Sequence, residues 1–476
     1  MSESRSVKYP GASSGVARNF MALGGGEIVA RLVGFIAYVY LARVLGAAGY
    51  GTIAFVVGIH LYLVKLADFG IESVGTSHVA QDPGGVRNFT ASILGARLVL
   101  TLVIVAFSAL VASWILPDPE RTLMQLYLLS LLPVALNAKW VHLGLQKAFP
   151  VGISRILCEG VFLGVVVVFV GNPNDLSKVP LGALAGESSA SVFLYILLAV
   201  RGLRFGLRWD PSAAWPTFVL AAPLVAQLIL GLFIYNADVV FLRVIRDDET
   251  VGYYAAAYML LSFLGNVTAS YGMSLMPALA RHQNRGIAES ALYQDSLAQV
   301  YALALPVTVG SCLVAPEIIA LWFGSGYAPA GNVLILLIWA LPATALRTAP
   351  WVVLIARGKQ SRLLRATVFG VFSNTALNLT LIGPFGMYGA AAATIATESI
   401  VGLLMFRYAA GEGLTFVSLR RLLVPSIASF LMAGALFTIG DSNLFVRIAL
   451  GIAVYGFFMI FMGAIRFEGM RPSLRV

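Results

Sequence analysis

Charge is what this sequence has least of. Asp, Glu, Lys and Arg make up 11% of its 476 residues, where a soluble domain carries about 25%. A soluble core of this length has no room for the 59% that is hydrophobic, so lipid must solvate much of the chain. Cysteine is nearly missing as well. Cys158 and Cys312 both sit inside apolar runs, which excludes a disulfide framework or a thiolate metal site and leaves two small packing thiols. Histidine numbers four, and His60 and His142 read as packing or hydrogen-bonding residues rather than ligands. No polar stretch between apolar runs is long enough to fold alone, so a soluble catalytic domain is not expected and the chain does not read as an enzyme. A cleavable signal is not expected either. Residues 1 to 19 are polar and basic, and the apolar run from Phe20 to Leu45 is too long for a signal h-region.

What is present is a succession of long apolar runs. A spanning helix needs about 20 apolar residues. Fourteen candidate spans follow one another at 20–45, 49–78, 89–115, 122–146, 150–171, 179–201, 216–243, 251–280, 294–323, 329–356, 362–383, 387–409, 420–440 and 443–465. The expected fold class is therefore an all-α polytopic membrane protein. Basic residues orient it. With the amino terminus inside, twenty-one loop Lys and Arg fall on the inner side, Arg5, Lys8, Arg155, Arg281, Arg285, Arg420, Arg466, Arg471 and Arg475 among them. Six lie outside: Arg43, Arg121, Lys178, Arg243, Arg246 and Arg447. Both termini are expected to be cytoplasmic, in the cell inner membrane. This distribution accounts for most of the net charge of +10 without a nucleic-acid partner.

The chain also repeats itself. Leu41-Ala42-Arg43-Val44-Leu45 with Gly49-Tyr50 is echoed by Phe241-Leu242-Arg243-Val244-Ile245 with Gly252-Tyr253. Leu132-Pro133 is echoed by Leu341-Pro342, and Leu181-Gly182-Ala183-Leu184-Ala185 by Tyr388-Gly389-Ala390-Ala391-Ala392. The expected organisation is a cytoplasmic tail over 1–19, a six-helix lobe over 20–210, a second over 211–410, and two appended helices with a tail over 411–476. Six helices being an even number, the lobes would run parallel, and transporters with repeats commonly bind substrate between them.

Ionisable residues inside the membrane cost about 2.5–3.5 kcal/mol on insertion scales and mark function by default. Glu27 and Arg31 lie four apart, on one face of the first span; Lys65, Asp68 and Glu72 share a face of the second. Arg97, Lys139, Glu159 and Arg347 lie in the third, fourth, fifth and tenth. Counted at about 1.5 Å per residue, Arg31 is roughly 16 Å deep and Arg97 roughly 12 Å. Arg31, Lys65, Arg97, Lys139 and Arg347 thus fall in or near the cytoplasmic half, as a cationic cavity for an anionic head group such as pyrophosphate, with Glu27, Asp68 and Glu72 in support. The competing reading is structural: Glu27–Arg31 as a local ion pair, and Lys65 paired with Asp68 or Glu72 or snorkelling to the interface. Glu187 and Glu317 read as solvated residues near outer helix ends. Gly24-Gly25-Gly26 reads as a bending or close-packing site rather than a phosphate loop. Pro133, Pro223, Pro277, Pro306 and Pro342 read as kink sites.

The segments Glu27 to Arg43, Leu45-Gly46-Ala47-Ala48-Gly49-Tyr50-Gly51 and Leu66-Ala67-Asp68-Phe69-Gly70-Ile71 resemble the amino-terminal pattern of polysaccharide-transport flippases. These are the O-antigen and exopolysaccharide repeat-unit flippases of the multidrug/oligosaccharidyl-lipid/polysaccharide exporter superfamily. The resemblance covers roughly residues 15–410. It implies a V-shaped two-lobe cavity and movement of an undecaprenyl-pyrophosphate-linked glycan from the cytoplasmic to the periplasmic leaflet. It implies membrane lipids, a polysaccharide polymerase and a chain-length regulator as partners. A related branch, the lipid II flippases, binds sodium with an Asp on the seventh helix, an Asn and an Asp one turn apart on the eleventh, and a Thr on the twelfth. Asp238, Asn374, Asn378 and Thr394 stand at matching places, with Asn378 where that branch has a carboxylate. The resemblance therefore implies coupling to a sodium ion or a proton and no cofactor or other metal; the alternative is polar bonding between helices. Within the superfamily a lipid II-type flippase or a drug/cation antiporter is the competing function. A membrane glycosyltransferase ranks last, because the outward acidic run Asp247-Asp248-Glu249 lies in a very short loop.

Overall fold

A computed structural model describes residues 12–82, 84–274, 287–440, 442–468 and 471–474. Arg5, Lys8, Pro277, Arg281, Arg285 and Arg475 lie outside the described residues. Among those described, ten helices are long and apolar enough to cross a membrane, or up to eleven if one bent pair counts as a single span. The chain is an all-α polytopic membrane protein, closed by a short antiparallel hairpin that pairs Ile465–Glu468 with Arg471–Leu474.

The fourteen expected spans all overlap helix, but not as fourteen separate rods. The first two fuse into Ala12–Asp68 and the eleventh and twelfth into Gln360–Ala410. A helix of 51 residues rises roughly 76 Å, more than twice the hydrocarbon thickness of about 30 Å. Each long helix is broken where a glycine leaves helical backbone: Gly46 at φ 70° and Gly386 at φ 55°. A side chain there would be strained, so glycine marks the point where the chain turns back. The fourth span is divided instead into Glu120–Leu129, Leu131–Leu136 and Lys139–Gly144. The tenth is divided into Ala328–Leu337, Ala340–Leu346 and Thr348–Ala356, bent by 42°. Pro133 and Pro342 sit in these two divided spans, so the Leu-Pro echo marks matching breaks. The last helix stops at Phe461, short of the expected residue 465. Gly463 at φ 75° lets Ala464 N–H reach Met459 O and Gly463 N–H reach Ile460 O, both at 3.0 Å, which closes the helix end.

The described chain forms two compact units. The first comprises Met1–Gly46 and Val56–Ile229, the second Ala47–Phe55 and Leu230–Val476. The border falls inside the helix Pro211–Ile245 rather than before it. In the first unit, Ile71, Val79, Ile93, Trp140, Val141 and Leu198 make a dry core. Glycines let backbones meet there: a Cβ on Gly26 would lie 2.6 Å from Gly152 Cα, and one on Gly186 2.6 Å from Cys158 O. Gly26 thus uses the triple glycine for close packing. In the second unit, Tyr293, Leu297, Val352, Val353, Leu414 and Val417 form the corresponding core. The start of the second span meets the helix Asp248–Ser274 in a reciprocal contact. A Cβ on Gly51 would stand 1.8 Å from Asp248 O, and one on Gly252 2.0 Å from Ala47 O.

Gly51→Ala and Gly252→Ala are each expected to destabilise the protein by about 1–3 kcal/mol through overpacking. Gly58→Ala, whose Cβ would meet nothing within 4 Å, is the matched control. Thermal unfolding in detergent checks this: an unchanged midpoint for the Gly51 and Gly252 variants would show that these helices can part without loss.

Candidate functional site

The first unit encloses a cavity of about 640 Å³, within the range of ligand pockets. Its wall carries Lys65, Arg97, Lys139 and Arg155 together with Glu27, Asp68, Glu72, Glu159 and Glu187. Three of the five expected basic residues are therefore brought together, while Arg31 and Arg347 do not border it. With five carboxylates facing four cations, the expected cationic character is corrected. Depth along a helix locates a basic residue but does not reveal which acid it meets.

Arg97 shows this most clearly. It lies on the helix Val86–Ile115 with its side chain 1% exposed. Its Nε donates to Ala67 O (3.5 Å), one terminal nitrogen to Asn137 O (3.2 Å), and the other to Val134 O (3.0 Å) and Asp68 Oδ1 (3.2 Å). These carbonyls lie at the ends of Ala12–Asp68 and Leu131–Leu136, where a helix leaves acceptors over, and Val134 O also receives the Asn137 N–H at 3.2 Å. Arg97 ties two helix ends and an acid together, and its fork is not turned to a phosphate. Arg31 closes on Glu27 at 2.9 Å with 46% of its side chain exposed, the local pair of the competing reading.

Lys65, Asp68 and Glu72 do not act as one face. Phe69 and Gly70 take positive φ, at 49° and 70°, and end the helix after Asp68. Asp68 then turns to Arg97, and Glu72 to Lys139 at 2.7 Å. Lys65 is left bordering the cavity without an ion pair to any described residue. Arg155, counted among the inner loop cations although the expected span 150–171 contains it, sits within the helix Ala148–Phe169 and bridges Glu159 (3.2 Å) and Glu27 (3.6 Å). Its four-residue spacing from Glu159 was the available signal. Glu187 lies in the wall rather than at a solvated helix end, on the helix Val179–Val200. Glu317 pairs with Arg447. His60 meets Ser130 at 3.0 Å and His142 meets Leu194 O at 3.1 Å.

The second unit holds a different kind of site. Asp238, Asn374, Asn378 and Thr394 come together although they lie on separate stretches of chain. Asn374 and Asn378 donate to Asp238 Oδ1 at 3.1 and 2.6 Å. Thr394 donates to Oδ2, and Tyr254, absent from the sequence reading, donates there at 2.8 Å. Asp238 is fully buried, and its four partners are neutral. A carboxylate so placed is solvated by dipoles but keeps its charge uncompensated. Asn378 Oδ1 is buried with no hydrogen-bond partner among the described residues, so the cluster holds one acceptor in reserve for a cation or a proton. Among the described residues no group of three or more His, Cys, Asp or Glu is placed to hold a metal ion.

One turn beyond Thr394, Glu398 takes Arg347 Nε at 2.8 Å and the Thr344 hydroxyl at 3.0 Å. Arg347 also donates to Tyr235 and lies 5.8 Å from the centre of its ring. Arg347 therefore belongs to a buried pair in the second unit. Glu398 was not singled out by sequence, though its spacing from Thr394 put it on the same helix face.

Residues 16–283, more than half the chain, match the family of polysaccharide biosynthesis proteins. The chain belongs to that family. A probable low-salt glycan biosynthesis flippase of Haloferax volcanii is 25% identical over 312 residues, which span 60% of this chain and 65% of that relative. The fold is that of a lipid II flippase solved in an inward closed conformation, with a TM-score of 0.76, 15% identity and coverage of 92% of this chain and 98% of that one. An inward-facing multidrug resistance transporter, described as one of the MOP superfamily, shares the fold at a TM-score of 0.65 and 14% identity, covering 81% of this chain and 94% of that one.

In this family member Arg97→Ala is expected to cost about 3–5 kcal/mol, because it leaves Asp68 and three carbonyls without their buried partner. Arg31→Ala is expected to cost less than about 1 kcal/mol. Folded yield and unfolding midpoint of the two variants, compared side by side, check the assignment; equal losses would contradict it.

Proposed function

We propose that this chain moves a lipid-linked glycan across the cell membrane, with the polar head group sheltered in the cavity of the first unit while the lipid tail stays in the bilayer. The observation that carries this is the cavity itself, a charged chamber of about 640 Å³ in a bundle of apolar helices, where hydrocarbon would otherwise exclude charge. The family, and a relative named as a glycan flippase, support it. The cargo we propose is an undecaprenyl-pyrophosphate-linked oligosaccharide, carried from the cytoplasmic to the periplasmic leaflet of the inner membrane, with both termini inside. A polymerase and a chain-length regulator would act on the product. Lys65 would meet the phosphate as a point charge, and the carboxylates would accept hydrogen bonds from sugar hydroxyls. A drug/cation antiporter of the same superfamily is the second reading, and the excess of carboxylates in the wall favours it.

Asp238 is the proposed coupling site. A buried carboxylate held by neutral donors gains most from binding a proton or a sodium ion. Asn374, Asn378, Thr394 and Tyr254 would then offer oxygens in place of hydrogens by turning their side chains. Cation binding would favour one conformation by its differential affinity for the two.

Two measurements test this reading. In proteoliposomes holding a fluorescent short-chain lipid-pyrophosphate oligosaccharide, Lys65→Gln should lower the translocation rate at least tenfold at equal protein level, and Arg31→Gln should not; drug efflux without glycan movement would favour the antiporter. In the same vesicles, an imposed sodium or proton gradient should speed the wild type, and Asp238→Asn should abolish that stimulation. A variant as responsive as the wild type would remove Asp238 from the coupling step.

A further inference from the structure

The ion pairs of the cavity divide its wall into two sets. Lys65, Asp68, Glu72, Arg97 and Lys139 close among themselves through Arg97–Asp68 and Lys139–Glu72, which leaves the Lys65 ammonium over. Glu27, Arg155, Glu159 and Glu187 close through Arg155, which reaches Glu27 and Glu159 but forms no ion pair with Glu187. Among the described residues no ion pair joins one set to the other. A third group is independent of both. Tyr127 borders the cavity with 2% exposure, and its hydroxyl has no hydrogen-bond partner among the described residues. Protein interiors rarely leave such a hydroxyl unpaired without a ligand or water to meet it.

What the wall leaves over describes what it receives: an anion for Lys65, a positively charged donor for Glu187, and an oxygen acceptor for Tyr127. Charge balance narrows this further. The wall carries five carboxylates against four cations, with Arg31 closing on Glu27 from outside it at 2.9 Å. A phosphate-linked sugar without a compensating charge would add to that excess in a medium of low dielectric, where like charges repel strongly. A sugar bearing one ammonium would meet Glu187 and lower the negative charge by one.

The geometry points to a cargo charged at both ends: a glycan with a free amino sugar, its phosphate directed to Lys65 and its ammonium to the Glu187 set. This rests on the flippase reading above and specifies the substrate class of the same cavity. Glu187 and Tyr127 become specificity-determining residues, and Lys65 the phosphate anchor.

The test uses the full chain in detergent micelles and two synthetic probes, a farnesyl pyrophosphate carrying glucosamine and the same carrier with N-acetylglucosamine, which lacks the ammonium. Dissociation constants come from calorimetry. The wild type should bind the amine probe at least tenfold more tightly. Glu187→Gln should bring the two constants together by weakening the amine probe alone, and Lys65→Gln should weaken both alike. Equal binding of the two probes by the wild type, a comparison that needs no variant, would overturn the amino-sugar inference and leave the flippase reading standing. A preference that survives in Glu187→Gln would overturn the assignment of that residue. Binding of neither probe would overturn inference and flippase reading together.

Discussion

Hydrocarbon tolerates neither a bare charge nor an unpaired backbone group, and most of the polar architecture of this chain follows from that. Among the described residues Arg97, Arg155 and Arg347 each meet an acid, and Arg97 a run of carbonyls as well. Arg97 closes two helix ends, and Arg347 lies against Glu398 and Tyr235. Arg155 is shared between two glutamates. Where pairing is so general, a polar group outside it stands out. Lys65 and Tyr127 in the first unit, and the charge of Asp238 in the second, are such exceptions, and the functional reading is built on them rather than on the number of basic residues.

The same constraint explains where the helices can break. A glycine or a proline releases carbonyls from their ladder, and in lipid something must receive them. Three arginines do so. Arg97 takes Ala67 O, Val134 O and Asn137 O. Arg246 takes Ile382 O at 3.3 Å and Gly383 O just before the turn at Gly386. Arg447 takes Leu313 O at 2.8 Å, beside Val314, which leaves helical backbone ahead of Pro316. Sequence composition suggests two roles for an arginine near a membrane surface, orientation of the chain or recognition of an anion. Carbonyl capping is a third, and for Arg97 it replaces the recognition role.

Legibility from sequence followed the range of the interaction. Relations within one helix were readable: the Glu27–Arg31 pair, the common face of Asn374 and Asn378, and the Leu-Pro positions at two divided spans all follow from local spacing. Relations across a break were not. Lys65, Asp68 and Glu72 have helical spacing, yet the left-handed backbone at Phe69 and Gly70 separates them and gives each acid to a different base. Arg155 counts among the inner-side cations by charge alone although its expected span, 150–171, contains it, and the helix Ala148–Phe169 carries it into the wall. Tyr254 and Glu398 lay one helical turn from residues already singled out, or on a neighbouring helix, and only the packing shows that they share partners.

The two sites differ in a way that matches two tasks. Apart from the buried Arg97–Asp68, the ion pairs of the cavity wall are partly exposed, such as Lys139–Glu72 at 30% and 41% side-chain exposure. Pairs of that kind exchange partners at little net expense, because water or a polar ligand can replace either member. A wall of exchangeable pairs suits a large, hydroxyl-rich cargo that must enter and leave. Asp238 is held by four neutral donors and is fully buried. It has nothing to exchange except a small cation, and binding one changes the net charge of a dry site. That change is large in free energy and small in volume, which suits an ion that drives a conformational step rather than one that travels with the cargo. The proposed division, with cargo in the first unit and coupling in the second, rests on this difference in the exposure of their carboxylates.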